Sequence, residues 1–206
     1  MFDDMVRPRF ARLAAPASRA LAHWGIAPSH VTVGGFVLAL AAAVAIATGH
    51  PWVGLGFWLL SRVADGLDGA LAREAGRQSA FGGYLDITLD MAAYSAMVVV
   101  FAILHPEHHV LWTVVLAGYV LNITTTLALA AAAAEAHRVV ATGDRTFQFT
   151  RGLAEAGEAS AVYVLWTLFP EAVGVVGWTW CVLLGLTAAQ RTWTAWRGLR
   201  RTGGDG

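Results

Sequence analysis

Residues 31–49 read VTVGGFVLALAAAVAIATG, nineteen positions without a charged side chain. That length lies within the roughly 17–25 apolar residues a helix needs to cross a bilayer. The chain around it has a matching composition: 57% of its 206 residues are hydrophobic, 14% are charged, and the mean hydropathy is +0.56. Soluble domains carry about a quarter charged residues. Apolar runs recur at 51–72, 80–104, 109–134, 152–169 and 172–193. Together with 31–48 they predict six transmembrane helices and an all-α, polytopic membrane fold, the second, third and fifth spans carrying charges that lower their hydropathy.

The charges give the orientation. All 14 basic residues are arginine, and the turns at 49–51, 105–109 and 170–171 contain none of them. The N-terminus, the 73–79 and 135–151 loops and the C-terminal tail hold nearly all of them, so the positive-inside rule puts both termini and those loops in the cytoplasm. Met5, Phe10, Leu13, Ala17 and Leu21 share a helix face flanked by Arg7, Arg9, Arg12 and Arg19, a pattern that predicts an amphipathic helix lying in the interface. The expected organisation is a juxtamembrane segment at 1–28, a six-helix domain at 29–198 and a tail at 199–206. A formal net charge of zero offers no footprint for nucleic acid. Cys181 stands alone and excludes an intrachain disulfide. His105, His108 and His109 read as a solvated external turn. Trp52, Trp58, Trp112, Trp166, Trp178, Trp180, Trp193 and Trp196 fall near span ends and read as an aromatic belt.

Against this apolar background, residues 64–90, ADGLDGALAREAGRQSAFGGYLDITLD, bring four aspartates into or beside the second and third spans. An unpaired carboxylate there is expensive. Asp65 and Asp68 (i, i+3) share one helix face, and Asp86 and Asp90 (i, i+4) share another. The short 73–79 loop predicts that the two helices are antiparallel neighbours, so the four groups converge. Such a cluster must be protonated, paired with cations or filled by a divalent metal, and oxygen donors of this kind suit Mg²⁺, Mn²⁺ or Ca²⁺. Gly66, Gly69, Ala72, Gly82 and Gly83 leave room for a flat group, and Arg73 and Arg62 offer paired donors for phosphate.

The pattern Asp65-x2-Asp68-Gly69-x2-Ala72-Arg73-x8-Gly82-x3-Asp86-x3-Asp90 resembles the signature of the CDP-alcohol phosphotransferases, membrane enzymes of phospholipid headgroup synthesis, at every fixed position. The stretch 27–32, Ala-Pro-Ser-His-Val-Thr, is similar to the Pro-Asn-x-x-Thr element of many members, with Ser29 in place of the asparagine. The resemblance implies two divalent ions, Mg²⁺ or Mn²⁺: Asp65, Asp68 and Asp86 would bind the first, and Asp86 with Asp90 the second. Gly69, Ala72, Arg73, Gly82 and Thr32 would contact the CDP moiety. Asp90 would be the general base that activates an alcohol to attack the phosphorus distal to cytidine, with CMP leaving. The expected donor is CDP-diacylglycerol, the expected setting the inner membrane with the site facing the cytoplasm, and the expected assembly a homodimer.

Two questions stay open at the level of sequence. The same motif serves transfer of a CDP-linked headgroup to diacylglycerol, and carboxylates within spans also serve ion transport, or metal and nucleotide binding without catalysis. On the fifth span, Glu155 and Glu158 share a face downstream of Arg145 and Arg151. These four residues form either a salt-bridge cluster or an acceptor pocket.

Overall fold

The structure, a computed structural model, describes residues 15–139 and 156–202. Every regular element among them is helical: α1 (15–23), α2 (Pro28–Ala47), α3 (Pro51–Glu74), α4 (Ala80–Leu104), α5 (His109–Val139), α6 (Ala156–Leu168) and α7 (Val173–Thr202). Short 3₁₀ turns at Pro106–His108 and Pro170–Ala172 lead into α5 and α7. Proline opens α2 and α3, where its missing N–H is not needed.

The turn between α3 and α4 fixes the geometry of the motif. Gly76 adopts a φ of 61°, its N–H bonds to the Arg73 carbonyl, and the Arg77 N–H bonds back to Ala72. This is a Schellman ending, in which glycine takes the left-handed position without a Cβ clash. Three residues later the Ser79 hydroxyl caps α4 by accepting from the Gly82 N–H at 3.0 Å. The chain therefore reverses within a few residues, and Arg73, Arg77, Ser79 and Gly82 all end up around that reversal.

The reversal does not make α3 and α4 close neighbours, as the short loop predicts. Instead α2 packs along both of them, while α3 and α4 stand apart at the level of the backbone. The reason is the small-residue face of α2. Ala39, Ala42 and Ala43 are buried, and a Cβ on Gly54 of α3 would lie 2.9 Å from the Ala42 carbonyl and 2.4 Å from Ile46. So close an approach seats α2 deeply on α3 and leaves the carboxylate-bearing faces separated by side-chain reach.

Four helical segments are long and apolar enough to cross a membrane: Pro28–Ala47, Ala80–Leu104, Pro106–Ala132 and Pro170–Gly198. They match the first, third, fourth and sixth expected spans. α3 has the length, with 24 residues, but Arg62, Asp65, Asp68, Arg73 and Glu74 dilute its hydropathy. α6 has 13 described residues. Of the expected N-terminal amphipathic face, Ala17 and Leu21 lie on α1, whereas Met5, Phe10, Leu13, Arg7, Arg9 and Arg12 lie outside the described residues. Large apolar side chains such as Val44, Leu60, Val120 and Val182 point outward, as they do where lipid is the surrounding solvent.

The tryptophans divide into two groups. Trp52, Trp178, Trp193 and Trp196 are exposed, as a belt requires, but Trp58, Trp112, Trp166 and Trp180 are at most 2% exposed. The buried four sit on α3, α5, α6 and α7: Trp58, Trp112 and Trp166 pack with Tyr94, Phe101 and Tyr163, and Trp180 donates to the Tyr119 hydroxyl at 3.2 Å. Trp112 and Trp166, for example, meet edge to face with centroids 5.0 Å apart at 88°. Each such ring buries roughly 150–250 Å², so this cluster is the core of the bundle. Cys181 packs, partly buried, against it.

Candidate active site

The motif aspartates converge, though not all four in one place. One carboxylate oxygen from each of Asp65, Asp68 and Asp86 lies within 4.8 Å of the other two. Asp68 is buried, and the Thr32 hydroxyl on α2 donates to its Oδ2 at 2.5 Å, with the Pro28 carbonyl as a competing acceptor at 3.1 Å. The element that α2 contributes is thus a hydroxyl that orients a carboxylate of α3, a role the sequence does not announce.

Asp90 lies outside that trio and has its own cation. Arg62 Nη1 donates to Asp90 Oδ1 at 2.8 Å and to the Tyr94 hydroxyl at 3.0 Å, while Nη2 reaches Ser61 Oγ at 3.0 Å. Asp65 stands farther off, at 3.9 Å from Arg62 Nη1. The guanidinium carbon lies 4.7 Å from the Trp58 ring and 5.2 Å from the Tyr94 ring. Arg62 therefore does not project toward a phosphate; it is fastened to α4. The sequence carries part of the signal, since Tyr94 follows Asp90 by four residues and Arg62 precedes Asp65 by three. The 28-residue separation of Arg62 from Asp90 hides the contact itself.

Two pockets meet at the carboxylates. One, of about 510 Å³, opens beside Asp68 and Asp86 and is lined by Thr32, Gly69, Ala72, Arg73 and Gly82. All five residues that the resemblance assigns to CDP are thus in its wall, joined by Ser29 and Arg77. Its polarity is divided, with carboxylates at one end and two arginines at the α3–α4 reversal. The other pocket, about 10 Å³, lies between Thr32, Ser61, Arg62, Asp65, Asp86 and Asp90, with room for about one water-sized particle. The second ion expected between Asp86 and Asp90 would share this narrow space with the Arg62 guanidinium.

The acceptor candidates are less complete. Glu158 lies in the first turn of α6, and its Oε2 is buried without a hydrogen-bond partner among the described residues. Glu155, Arg145 and Arg151 lie outside the described residues. The external turn behaves as a solvated one: Glu107 pairs with His105 at 3.4 Å. A bond from its own backbone N–H, together with His105, holds the Glu107 carboxyl below the usual carboxylate range.

Known proteins resemble this chain along almost its full length. The inner membrane protein YnjF of Escherichia coli K12 is 33% identical over 205 residues, 97% of this chain and 98% of its own. The archaetidylinositol phosphate synthase of Pyrococcus horikoshii is 28% identical over 193 residues, 92% of this chain and 94% of its own. Phosphatidylinositol phosphate synthase of Mycobacterium tuberculosis shares the fold. Its crystal structure with CDP-DAG bound gives a TM-score of 0.64 at 24% identity, covering 90% of this chain and 94% of that one. Its complex with manganese and citrate gives 0.66 at 24% identity, covering 89% and 88%. The sequence model for CDP-alcohol phosphatidyltransferase matches residues 25–187, a range that contains every motif residue from Thr32 to Asp90, and the chain belongs to the CDP-alcohol phosphatidyltransferase family.

Proposed function

We propose that this protein transfers a phosphatidyl group from CDP-diacylglycerol to an alcohol and releases CMP. The observation that carries the reading is the junction of the Asp65–Asp68–Asp86 trio with a cavity of about 510 Å³ walled by Gly69, Ala72, Arg73 and Gly82. Three carboxylate oxygens form a hard, anionic donor set that fits Mg²⁺ or Mn²⁺, and the manganese complex of the mycobacterial relative supports that choice. A divalent ion bound there neutralises a diphosphate and polarises the phosphoryl oxygens.

The chain's own residues do the rest. Asp65, Asp68 and Asp86 hold the metal, and Thr32 keeps Asp68 turned toward it. Gly69, Ala72 and Gly82 leave space for the cytidine, and Arg73 takes up diphosphate charge by paired N–H donors. Asp90 accepts the proton of the acceptor hydroxyl as that oxygen bonds to the phosphorus distal to cytidine; the bond from that phosphorus to the CMP oxygen breaks. Glu155 and Glu158, with Arg145 and Arg151, form the acceptor side. The chain crosses an inner membrane six times, with both termini and the site toward the cytoplasm and residues 1–28 along the interface, and it works as a homodimer. The full-length likeness to an inner membrane protein supports the membrane setting.

The test is CMP release by purified protein given CDP-diacylglycerol, Mn²⁺ or Mg²⁺ and a panel of acceptors that includes inositol phosphate, glycerol phosphate, serine and neutral polyols. Metal-dependent CMP release that requires one of these alcohols is the expected result. Release with none of them, alongside CMP release when CDP-linked headgroups are offered with diacylglycerol, would reverse the donor assignment.

A further inference from the structure

Arg62 is held in more ways than an incidental counter-ion needs. Its Nη1 bridges Asp90 Oδ1 and the Tyr94 hydroxyl, its Nη2 reaches Ser61, and its guanidinium sits against the rings of Trp58 and Tyr94. Trp58 and Ser61 are 0% exposed and Tyr94 is 4% exposed, so the groups that grip the guanidinium belong to the packed core. The Nε–H is buried with no acceptor among the described residues, and a buried donor left unpaired calls for an explanation. The head is placed for what Nη1 and Nη2 do, at the expense of Nε.

What Nη1 does is separate one carboxylate from its three neighbours. Asp65, Asp68 and Asp86 face one another within 4.8 Å, whereas Asp90, one helical turn beyond Asp86, is turned to Arg62. We infer that Arg62 is a positioning residue: it holds Asp90 by Oδ1, keeps it from collapsing onto the metal trio, and leaves Oδ2 to take the acceptor's proton. The inference rests on the reading of Asp90 as the base. It sets Asp90 apart from the Asp65–Asp68–Asp86 trio, and the divider is a side chain outside the sequence motif.

The test uses full-length protein with two readouts, CMP release and Mn²⁺ binding by calorimetry without substrate. Arg62→Met should lower kcat about 10–100-fold, the usual weight of a group that orients a ligating or reacting side chain. The donor KM should stay within about twofold, and Mn²⁺ should bind at least as tightly as in the unaltered protein, since a released Asp90 adds charge to the trio. Arg62→Lys keeps the buried charge but not the fork geometry and should recover part of kcat; it carries the test if the Met variant does not fold. Combined with Asp90→Asn, Arg62→Met should add little further loss, because it acts through Asp90. Unchanged kcat in Arg62→Met overturns the inference. So does a full additive loss on the Asp90→Asn background, or a parallel fall in Mn²⁺ affinity, donor affinity and kcat, which is the mark of a merely structural cation. Normal turnover by Asp90→Asn alone would instead remove the base assignment beneath it.

Discussion

Between α5 and α7, Asn122 is buried and hydrogen-bonded at both ends of its side-chain amide. Its amide donates to the Gly118 and Leu184 carbonyls at 3.0 Å each, and its Oδ1 accepts from Arg191 at 3.3 Å. Between α3 and α4, by contrast, Asp65, Asp68 and Asp86 crowd together with one hydroxyl, Thr32, donating to one of them and one arginine 3.9 Å from another. Both clusters lie among apolar helices, where polar groups demand partners. The first finds them within the protein and so ties two helices together. The second is left with negative charge in excess and opens onto a cavity, which is the signature of a site that a cation and a charged ligand complete.

The largest effect should come from striking the unfinished cluster. Asp68→Asn keeps the shape and the bond from Thr32 but removes a charge from the trio. Calorimetry should show Mn²⁺ binding weakened, and CMP release should fall by more than about 10²-fold, since metal charge stabilisation is worth several kcal/mol. Full Mn²⁺ affinity in this variant would mean that the trio is not the metal site, and the contrast with Asn122 would lose its meaning.

A smaller effect is expected one layer out. Thr32→Val is nearly isosteric and deletes only the hydroxyl that holds Asp68 Oδ2. Partners of this kind typically matter by about 10–100-fold in metal affinity or activity. Unaltered Mn²⁺ binding by the Thr32→Val variant would show that Asp68 is oriented by its helix alone.

The finished cluster should answer differently. Asn122→Leu removes the donor to the Leu184 carbonyl and the side-chain acceptor that Arg191 uses, a loss of about 1–3 kcal/mol, read as a lower unfolding temperature in detergent. The KM for the CDP-linked donor should not move. A donor-specific defect with unchanged thermal stability would place Asn122 in the substrate path and erase the distinction between the two clusters.

Much of the site was legible because helix periodicity acts locally. Spacings of three and four residues put Asp65 with Asp68 and Asp86 with Asp90 on shared faces, and the short 73–79 loop marks where the chain turns between them. What escaped is set by packing between distant segments. The small residues of α2 do not reveal that it packs on both α3 and α4 and delivers Thr32. Arg62 looks like a phosphate donor when considered beside Asp65, and only the position of α4 gives it to Asp90. Hydropathy windows average around a helix and cannot report which way a ring faces, so Trp58, Trp112, Trp166 and Trp180 read as an interfacial belt although they form the core. The 51–72 run reads as the second span, yet α3 falls outside the four helices apolar enough to cross a membrane, because Arg62, Asp65 and Asp68 are gathered toward the site.

The smallest expected effect tests whether a third region, the start of α6, belongs with the finished cluster or with the unfinished one. Glu158 Oε2 is buried and has no hydrogen-bond partner among the described residues, which likens it to the trio. It also sits in the first turn of its helix, where the dipole favours a negative charge by about 0.3–1 kcal/mol without any ligand. Glu158→Gln preserves volume and removes the charge. If Glu158 receives hydroxyls of the acceptor, the acceptor KM should rise a few-fold while the donor KM stays put, because neutral amide oxygens accept more weakly than carboxylates. If the charge serves only the helix end, the unfolding temperature should drop slightly and both KM values should hold. A rise in the donor KM alone fits neither role; it would put Glu158 on the CDP side and require the acceptor to be sought nearer Arg191.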